Sequence, residues 1–472
     1  MWDVEQFHKM LDASRAFAKL NVDFREQVQP ELNVLELESL TDAIEVLIQQ
    51  SNYDAVIDGL IQGSVLYSHT GYLNQQLNFP VAASTIGALW SSILNQGHAV
   101  FSMSPISSVI ERRMLDWAKG CLRLPRSAFG LSTGGGSLAN LTALIAARNK
   151  LDDWHIWKRG GASHSQITVL VSQLAHYSIA RSAAMIGIGE ENVVAVEVDE
   201  TGSIDIAKLC SRLEDGGRYI ICLTLGTTSS GAFDDLAGFF LRHGVLERDR
   251  LWVHVDAAHG GSFYHCAKLS AQFEAIAQSD SVCWDLHKVF FQSLPLSFLF
   301  FKSKETANYV SKHCTPYLSQ EIEGDYPDMH NWTLECSRSG NAMKLWLSLH
   351  NYGEHFFQKN IAHLVDMTDR LYSVLFSDPR IHIYAKPTTN IVCFNFKASD
   401  GDSGDVLTKK IFAELNADPA WSVGFVYIVS ELFIKICFMN PRIDEGKIKQ
   451  LYDSIRLLLS AHNFEINEGI AE

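Results

Sequence analysis

Between about residues 128 and 302, short apolar runs alternate with helical stretches, and no other feature constrains the fold as much. Ile167–Val171, Val193–Val198, Tyr219–Leu225, Leu251–Val255, Ser281–Trp284 and Leu296–Phe301 read as strands. Their composition is nearly unbroken Val, Ile, Leu and aromatic, which suits strands buried on both faces. Ser178–Met185, Ile204–Leu213 and Leu236–Arg242 lie between them with helical spacing. This order predicts an α/β fold, a large doubly wound and mostly parallel sheet covered by helices on both sides. Ligands in such sheets bind beyond the carboxyl ends of the strands. Polar residues that directly follow strands are therefore the candidate site.

Flanking segments complete the layout. Residues 1–60 read as an N-terminal helical segment, with Val34, Leu35, Leu37, Ala43, Ile44 and Leu47 at helical spacing. A large α/β domain is expected over 61–350. A small C-terminal α+β domain is expected over 351–472, with strands at Ile391–Phe396 and Leu432–Phe438. The connection from about 303 to 332 is long and polar, and such loops are usually functional. A net charge of −15 argues against nucleic acid or an anionic membrane as the main partner. No apolar run reaches the length of a membrane span, since Phe425–Met439 is broken by Glu431 and Lys435. Met1-Trp2-Asp3-Val4-Glu5 lacks the basic and apolar regions of a signal peptide. The nine cysteines form no CxxC pair, so reduced thiols and a cytoplasmic location are expected.

Asp256 ends the strand Leu251–Val255, and Lys288 follows 32 residues later, just after His287. A carboxylate on a buried strand end needs a partner, and a pyridinium N–H is one. A lysine flanked by Val289, Phe290 and Phe291 is poorly solvated; that is expected to lower its pKa and help it condense with an aldehyde. Together they suggest a pyridoxal 5'-phosphate site, with Lys288 as the Schiff-base lysine and Asp256 on the pyridine nitrogen. Ala258 and Ala257 are small enough for a flat ring to lie against them, and Gly260 and Gly261 allow close approach of something flat or anionic. Thr133-Gly134-Gly135-Gly136-Ser137 opens a strong helix, Leu138–Arg148. Its amides and positive dipole end can cradle a phosphate. His176, between a strand and a helix, can stack on a ring. A rival reading takes His254, Asp256 and His259 as metal ligands and the protein as a metal-dependent hydrolase.

Five ordered segments carry a resemblance. They are Gly134–Asn140, Ala175-His176-Tyr177-Ser178, Leu225-Gly226-Thr227-Thr228-Ser229-Ser230-Gly231, His254–Gly260 and Asp280-Ser281 with Asp285-Leu286-His287-Lys288. In order and spacing, over roughly residues 60–445, the chain resembles the group II pyridoxal-phosphate-dependent amino-acid decarboxylases. That resemblance implies fold type I, of the aspartate-aminotransferase kind, and a homodimer with active sites at the subunit interface. It implies that Lys288 binds the cofactor, Asp256 holds its ring nitrogen and His176 stacks on the ring. Gly136, Ser137 and His287 would bind the phosphate, with Thr227 near the ring. His313-Cys314-Thr315-Pro316-Tyr317-Leu318-Ser319-Gln320 is similar to the mobile catalytic loop of glutamate decarboxylases. Tyr317, 29 residues after Lys288, would then protonate the carbanion left by CO2 loss. The presence of this tyrosine argues against an oxidative aldehyde synthase or an aminotransferase.

Substrate signals in the sequence diverge. His69-Thr70-Gly71-Tyr72-Leu73-Asn74-Gln75 resembles a glutamate-decarboxylase segment whose Gln binds a substrate carboxylate, which implicates Gln75 and Asn74. His287-Lys288-Val289-Phe290-Phe291-Gln292 looks more like the decarboxylases of diamino acids. Many relatives carry a carboxylate-clamping Arg where this chain has Lys435, which cannot form the bidentate fork. Phe290, Phe291 and Phe298 are candidates for a poorly solvating wall, or plain core. The reading leans toward an acidic or small polar amino acid, with a diamino acid as the alternative.

Overall fold

The computed structural model describes residues 4–15, 28, 33–161, 166–213, 216–243, 249–312, 326–397 and 404–468. It divides into two compact units. One comprises residues 1–75, 373–382 and 394–472; the other comprises residues 76–372 and 383–393.

In the first unit the N-terminal helices are Val4–Ala13, Val34–Gln49 and Tyr53–Gln62. The second begins at a capping box: Asn33 accepts the Glu36 amide at 3.1 Å, and Glu36 accepts the Asn33 amide at 2.8 Å. A two-residue strand, Tyr72–Leu73 (β1), follows.

The larger unit is built on seven strands: Phe129–Thr133 (β2), Ile167–Ser172 (β3), Val193–Val196 (β4), Arg218–Thr224 (β5), Leu251–Asp256 (β6), Ser281–Asp285 (β7) and Ser297–Phe301 (β8). They lie in the order β2-β8-β7-β6-β5-β3-β4. The pairs from β7 through β4 are parallel, whereas β8 runs antiparallel to both β7 and β2. The link from β7 to β8 is too short for a parallel crossover, so β8 turns back. Every residue of β6, β7 and β8 is buried. Trp252, Trp284, Phe298 and Phe300 are essentially inaccessible, and burying each such side chain contributes roughly 2 kcal/mol.

The sheet is the doubly wound, mostly parallel one expected, with three local differences. β2 had no counterpart in the sequence reading, because Gly130 interrupts the pattern. A Cβ there would fall 2.5 Å from the Phe300 ring, so the glycine makes room for that ring. β4 stops at Val196, and Val198 instead bridges to Ile204. The next helix starts at Ile206, because Asp205 caps it by accepting the amides of Ala207 and Lys208.

Register brings the carboxyl ends of four strands together. Thr224 pairs with Asp256, Asp285 with Ser297, and Ser297 with Thr133. The glycine-rich turn after β2 therefore follows directly on the row that carries Asp285.

The remaining strands are Ile381–Ile383 (β9), Ile391–Phe396 (β10), Ser422–Ile428 (β11) and Glu431–Cys437 (β12). They form with β1 a sheet in the order β1-β11-β12-β10-β9. β11 went unseen in the sequence reading. Its outer residues Phe425 and Tyr427 are exposed aromatics, so the polar half of a strand pattern is missing. No helix among the described residues is long and apolar enough to cross a membrane.

Candidate active site

In the larger unit a cavity of about 420 Å³ opens where these strand ends meet. Gly136, Ser137, His176, Asp256, Ala258, His287 and Lys288 line it, as does Asp285. Thr228 lines the cavity too. Thr227 instead is fully buried and ties its own turn, with its hydroxyl 2.9 Å from that of Ser230 and accepting the Ala232 amide at 3.2 Å. Tyr317 and the rest of 313–325 lie outside the described residues.

Lys288 differs from the sequence expectation. Burial pulls its pKa down, but Asp285 and Asp256 push it up further, and the net shift is upward. The Asp285 carboxylate lies 3.3 Å from the ammonium. Local apolar neighbours misled the reading, because the second acid acts through space. Asp285 also accepts the Ser297 hydroxyl at 2.5 Å and faces His287 Nε2 at 3.7 Å. It is a site residue that sequence reasoning passed over, although its place three residues before Lys288 was in view.

Asp256 is buried, which pushes its carboxyl up. Lys288, His254 and the hydrogen bonds from Asn140 and Ala258 outweigh burial and hold it below the ordinary range. Asn140 donates to Oδ2 at 2.9 Å and the Ala258 amide to Oδ1 at 3.1 Å. A carboxylate has about four acceptor positions, so capacity remains for one more N–H. His176 accepts the Ser178 amide on Nδ1 at 3.3 Å, and burial lowers its pKa, leaving a neutral ring. His287 is likewise lowered by burial, and its Nδ1 sits 3.0 Å from the Leu296 carbonyl. Asn78 fastens this corner by donating to the carbonyls of His287, at 2.7 Å, and Lys288.

The glycine turn is shaped for close approach. Gly135 has φ +141°, open to glycine, and Gly136 begins the helix Gly136–Leu151. A Cβ on Gly136 would fall 2.6 Å from Asp285 Oδ2. Gly260 and Gly261 do something else than expected. A Cβ on Gly260 would run into the Leu225 carbonyl group and one on Gly261 would meet the Trp284 ring at 2.6 Å, so they admit protein, not ligand. Phe290 stacks on Phe357 at 4.6 Å and meets Trp284 edge-on; like Phe291 and Phe298 it is fully buried core.

The hydrolase alternative loses its ligands. His254 uses both ring nitrogens, on Ser281 at 2.8 Å and Asn140 at 2.9 Å, while His259 Nε2 meets Asn390 at 2.8 Å. Among the described residues no cluster of His, Cys, Asp and Glu is placed to hold a metal. The donor set fits pyridoxal phosphate instead: a lysine, a carboxylate with spare acceptor capacity, a neutral imidazole and a glycine turn at a helix N-terminus.

In the smaller unit, β1 pairs with β11 and β11 with β12, so Asn74 follows the row that leads to Gly424 and Lys435. A Cβ on Gly424 would lie 2.9 Å from Asn74 Oδ1 and 3.2 Å from Lys435 Cε. Gln75 donates to Asn74 at 3.0 Å. The residues drawn from two diverging sequence segments thus form one cluster. Lys435 is buried there, and no ion pair reaches it among the described residues.

Comparison with known proteins agrees. Residues 52–397 match the pyridoxal-dependent decarboxylase conserved domain. The chain is 26% identical over 390 residues to an L-2,4-diaminobutyrate decarboxylase of Acinetobacter baumannii, covering 78% of this chain and 76% of that one. It is 25% identical over 439 residues to the aromatic-L-amino-acid decarboxylase of Sus scrofa, covering 88% and 87%. Among solved structures, mouse CSAD aligns with a TM-score of 0.84 at 22% identity, covering 96% of this chain and 98% of that one. Oryza sativa TDC with PLP and tryptamine aligns with a TM-score of 0.86 at 20% identity, covering 97% of each. These neighbours share the type I fold. The chain belongs to the pyridoxal-dependent decarboxylases, and is a carboxy-lyase that uses pyridoxal 5'-phosphate to decarboxylate an amino acid.

Proposed function

We propose that Lys288 carries the cofactor and Asp256 holds its ring nitrogen protonated. His176 covers the ring face, and Gly136, Ser137 and His287 hold the phosphate. The cofactor supplies an electron sink for the bond cleaved at Cα. The convergence of Lys288 with two carboxylates and a neutral imidazole in one cavity carries this reading. Tyr317 returns the proton to Cα. Lys288→Ala is expected to purify colourless; a yellow variant with the cofactor spectrum intact would overturn the assignment. Tyr317→Phe should keep the colour and lose amine formation.

For the substrate we propose a small L-diamino acid of the 2,4-diaminobutyrate type. The carrying observation is Asp285. With Asp256 matched by the ring nitrogen of the cofactor, Asp285 is left as a second carboxylate lining the cavity. That negative charge favours a side chain bearing positive charge over one bearing a second carboxylate. The relation to diaminobutyrate decarboxylases supports the same choice. A glutamate, aspartate or cysteine-sulfinate type substrate is the second reading, supported by buried Lys435 beside Asn74 and Gln75. CO2 release across these amino acids decides, and a clear preference for the acidic ones would refute the diamino reading.

A homodimer is the proposed assembly. Ile86, Trp90, Ile93 and Leu94 share one face of the helix Ala82–Leu94, and all are exposed. Sedimentation at the monomer mass would refute it.

A further inference from the structure

Asn140 has its full hydrogen-bonding capacity in use. Its amide nitrogen donates to Asp256 Oδ2 at 2.9 Å and to the Ser178 hydroxyl at 3.0 Å. Its oxygen faces His254 Nε2 at 2.9 Å and accepts the Cys283 thiol at 3.1 Å. These contacts fix every proton in the chain. A carboxylate only accepts, so the amide nitrogen must face Asp256. The amide oxygen then faces His254, whose Nε2 must carry the hydrogen. A neutral His254 is left with a bare Nδ1, which takes the Ser281 hydroxyl proton at 2.8 Å. Ser281 in turn accepts the Trp252 indole N–H, a group that can only donate, at 2.9 Å. On the other branch Ser178 accepts from Asn140 and passes its own proton to His176 Nδ1 at 2.8 Å.

We infer that Trp252, Ser281, His254 and Asn140 form a buried positioning relay. It branches at Asn140 to fix both the charge of Asp256 and the tautomer of His176. Trp252, Ser281 and His254 lie behind the cavity, and Asn140 alone of the four lines it. Each link donates toward the site, so Asp256 meets only donors and remains an anion. His176 is held with its hydrogen on Nε2 and its ring at a set angle. Full burial keeps His254 neutral by pushing its pKa down to about 4, which protects the direction of the chain. Isolation strengthens the effect, since Trp252, His254, Asn140 and Ser281 are all essentially inaccessible to solvent. The functional consequence rests on the reading that Asp256 meets the ring nitrogen and His176 the ring face.

Nitrogen-15 NMR of the holoenzyme with labelled histidine tests the relay. His254 and His176 are expected as neutral Nε2–H tautomers near neutral pH. An Nδ1–H tautomer or an imidazolium at either would overturn it. Asn140→Leu keeps the volume but removes both donors. It is expected to release His176 from a single tautomer and to lower kcat about 10-fold or more, the worth of a hydrogen bond to a charged group, with KM nearly unchanged. Folded, yellow Asn140→Leu with unaltered His176 signals and kcat would refute the proposal. Ser281→Ala, a milder change two links away, should move the His254 signals and lower kcat less; unaltered His254 signals there would also refute it. Labelled cofactor in Asp256→Asn separates the two ideas. An unchanged ring-nitrogen resonance would sink the role given to Asp256 and with it the consequence for catalysis, while the histidine tautomers would still report the relay.

Discussion

Asp285→Asn should change the pH at which Lys288 captures the cofactor. In the wild type a carboxylate 3.3 Å from the ammonium favours the protonated amine. Two unit charges at that separation attract by about 5 kcal/mol at an effective dielectric constant near 20. The Lys288 side chain is 21% exposed, so water screens part of this. Halving the attraction leaves about 2.5 kcal/mol, or roughly two pH units. Asp256 continues to push the amine up, so the variant keeps part of its shift. Only the neutral amine attacks an aldehyde. The rate of covalent capture, followed by absorbance after mixing apoenzyme with pyridoxal phosphate, should therefore rise with pH in both proteins, with its midpoint about two units lower in Asp285→Asn. Removing a negative charge beside the glycine turn will also ease phosphate binding, but that changes the rate at every pH and not the midpoint. Pyridoxal lacking the phosphate should show the same displacement. An unchanged or raised midpoint with either aldehyde would refute the reasoning.

Other outcomes test the frame around the site. Gly136→Ala places a methyl 2.6 Å and 2.8 Å from the two Asp285 oxygens, and equilibrium dialysis should show cofactor retention weakened about 10-fold or more. Arg338 forms a buried two-point pair with Glu111, at 3.0 Å and 3.2 Å, and His98 meets the same carboxylate at 2.6 Å. Arg338→Met leaves that carboxylate underpaired, and urea unfolding should show a loss of about 3–5 kcal/mol. Burial pushes Asp234 up to about 7 despite accepting the Thr224 and Ile204 amides. Its folded pKa exceeds its unfolded one, so its contribution to stability is complete below about pH 4 and lost as pH rises through about 7. The stability difference between the wild type and Asp234→Asn should fall by about 4 kcal/mol across that window, and a flat difference would refute the assignment.

What the sequence showed depended on how far each feature reaches along the chain. Strands such as Ser281–Asp285 and the helix Ser178–Met185 were legible because burial on both faces or on one stripe writes itself into neighbouring residues. Lys288 and Asp256 were legible because strand ends in such a sheet converge by topology. Charge was not. Val289, Phe290 and Phe291 pointed to a lysine with a lowered pKa, yet burial is outweighed by Asp285 and by Asp256, which β6–β7 pairing brings close. Glycines were ambiguous for a related reason: Gly136 and Gly261 look alike in sequence, but one makes room beside a carboxylate in the cavity and the other beside the Trp284 ring. Asp285 joins both lessons. Its distance in sequence from Lys288 was plain, but its place beside Gly136 follows from a register that runs from β7 through β8 to β2, and β2 is the strand that Gly130 concealed. Because that register fixes Asp285 beside Gly136, the placement of charge against the glycine turn is a property of the sheet, set by the same pairing that builds the fold.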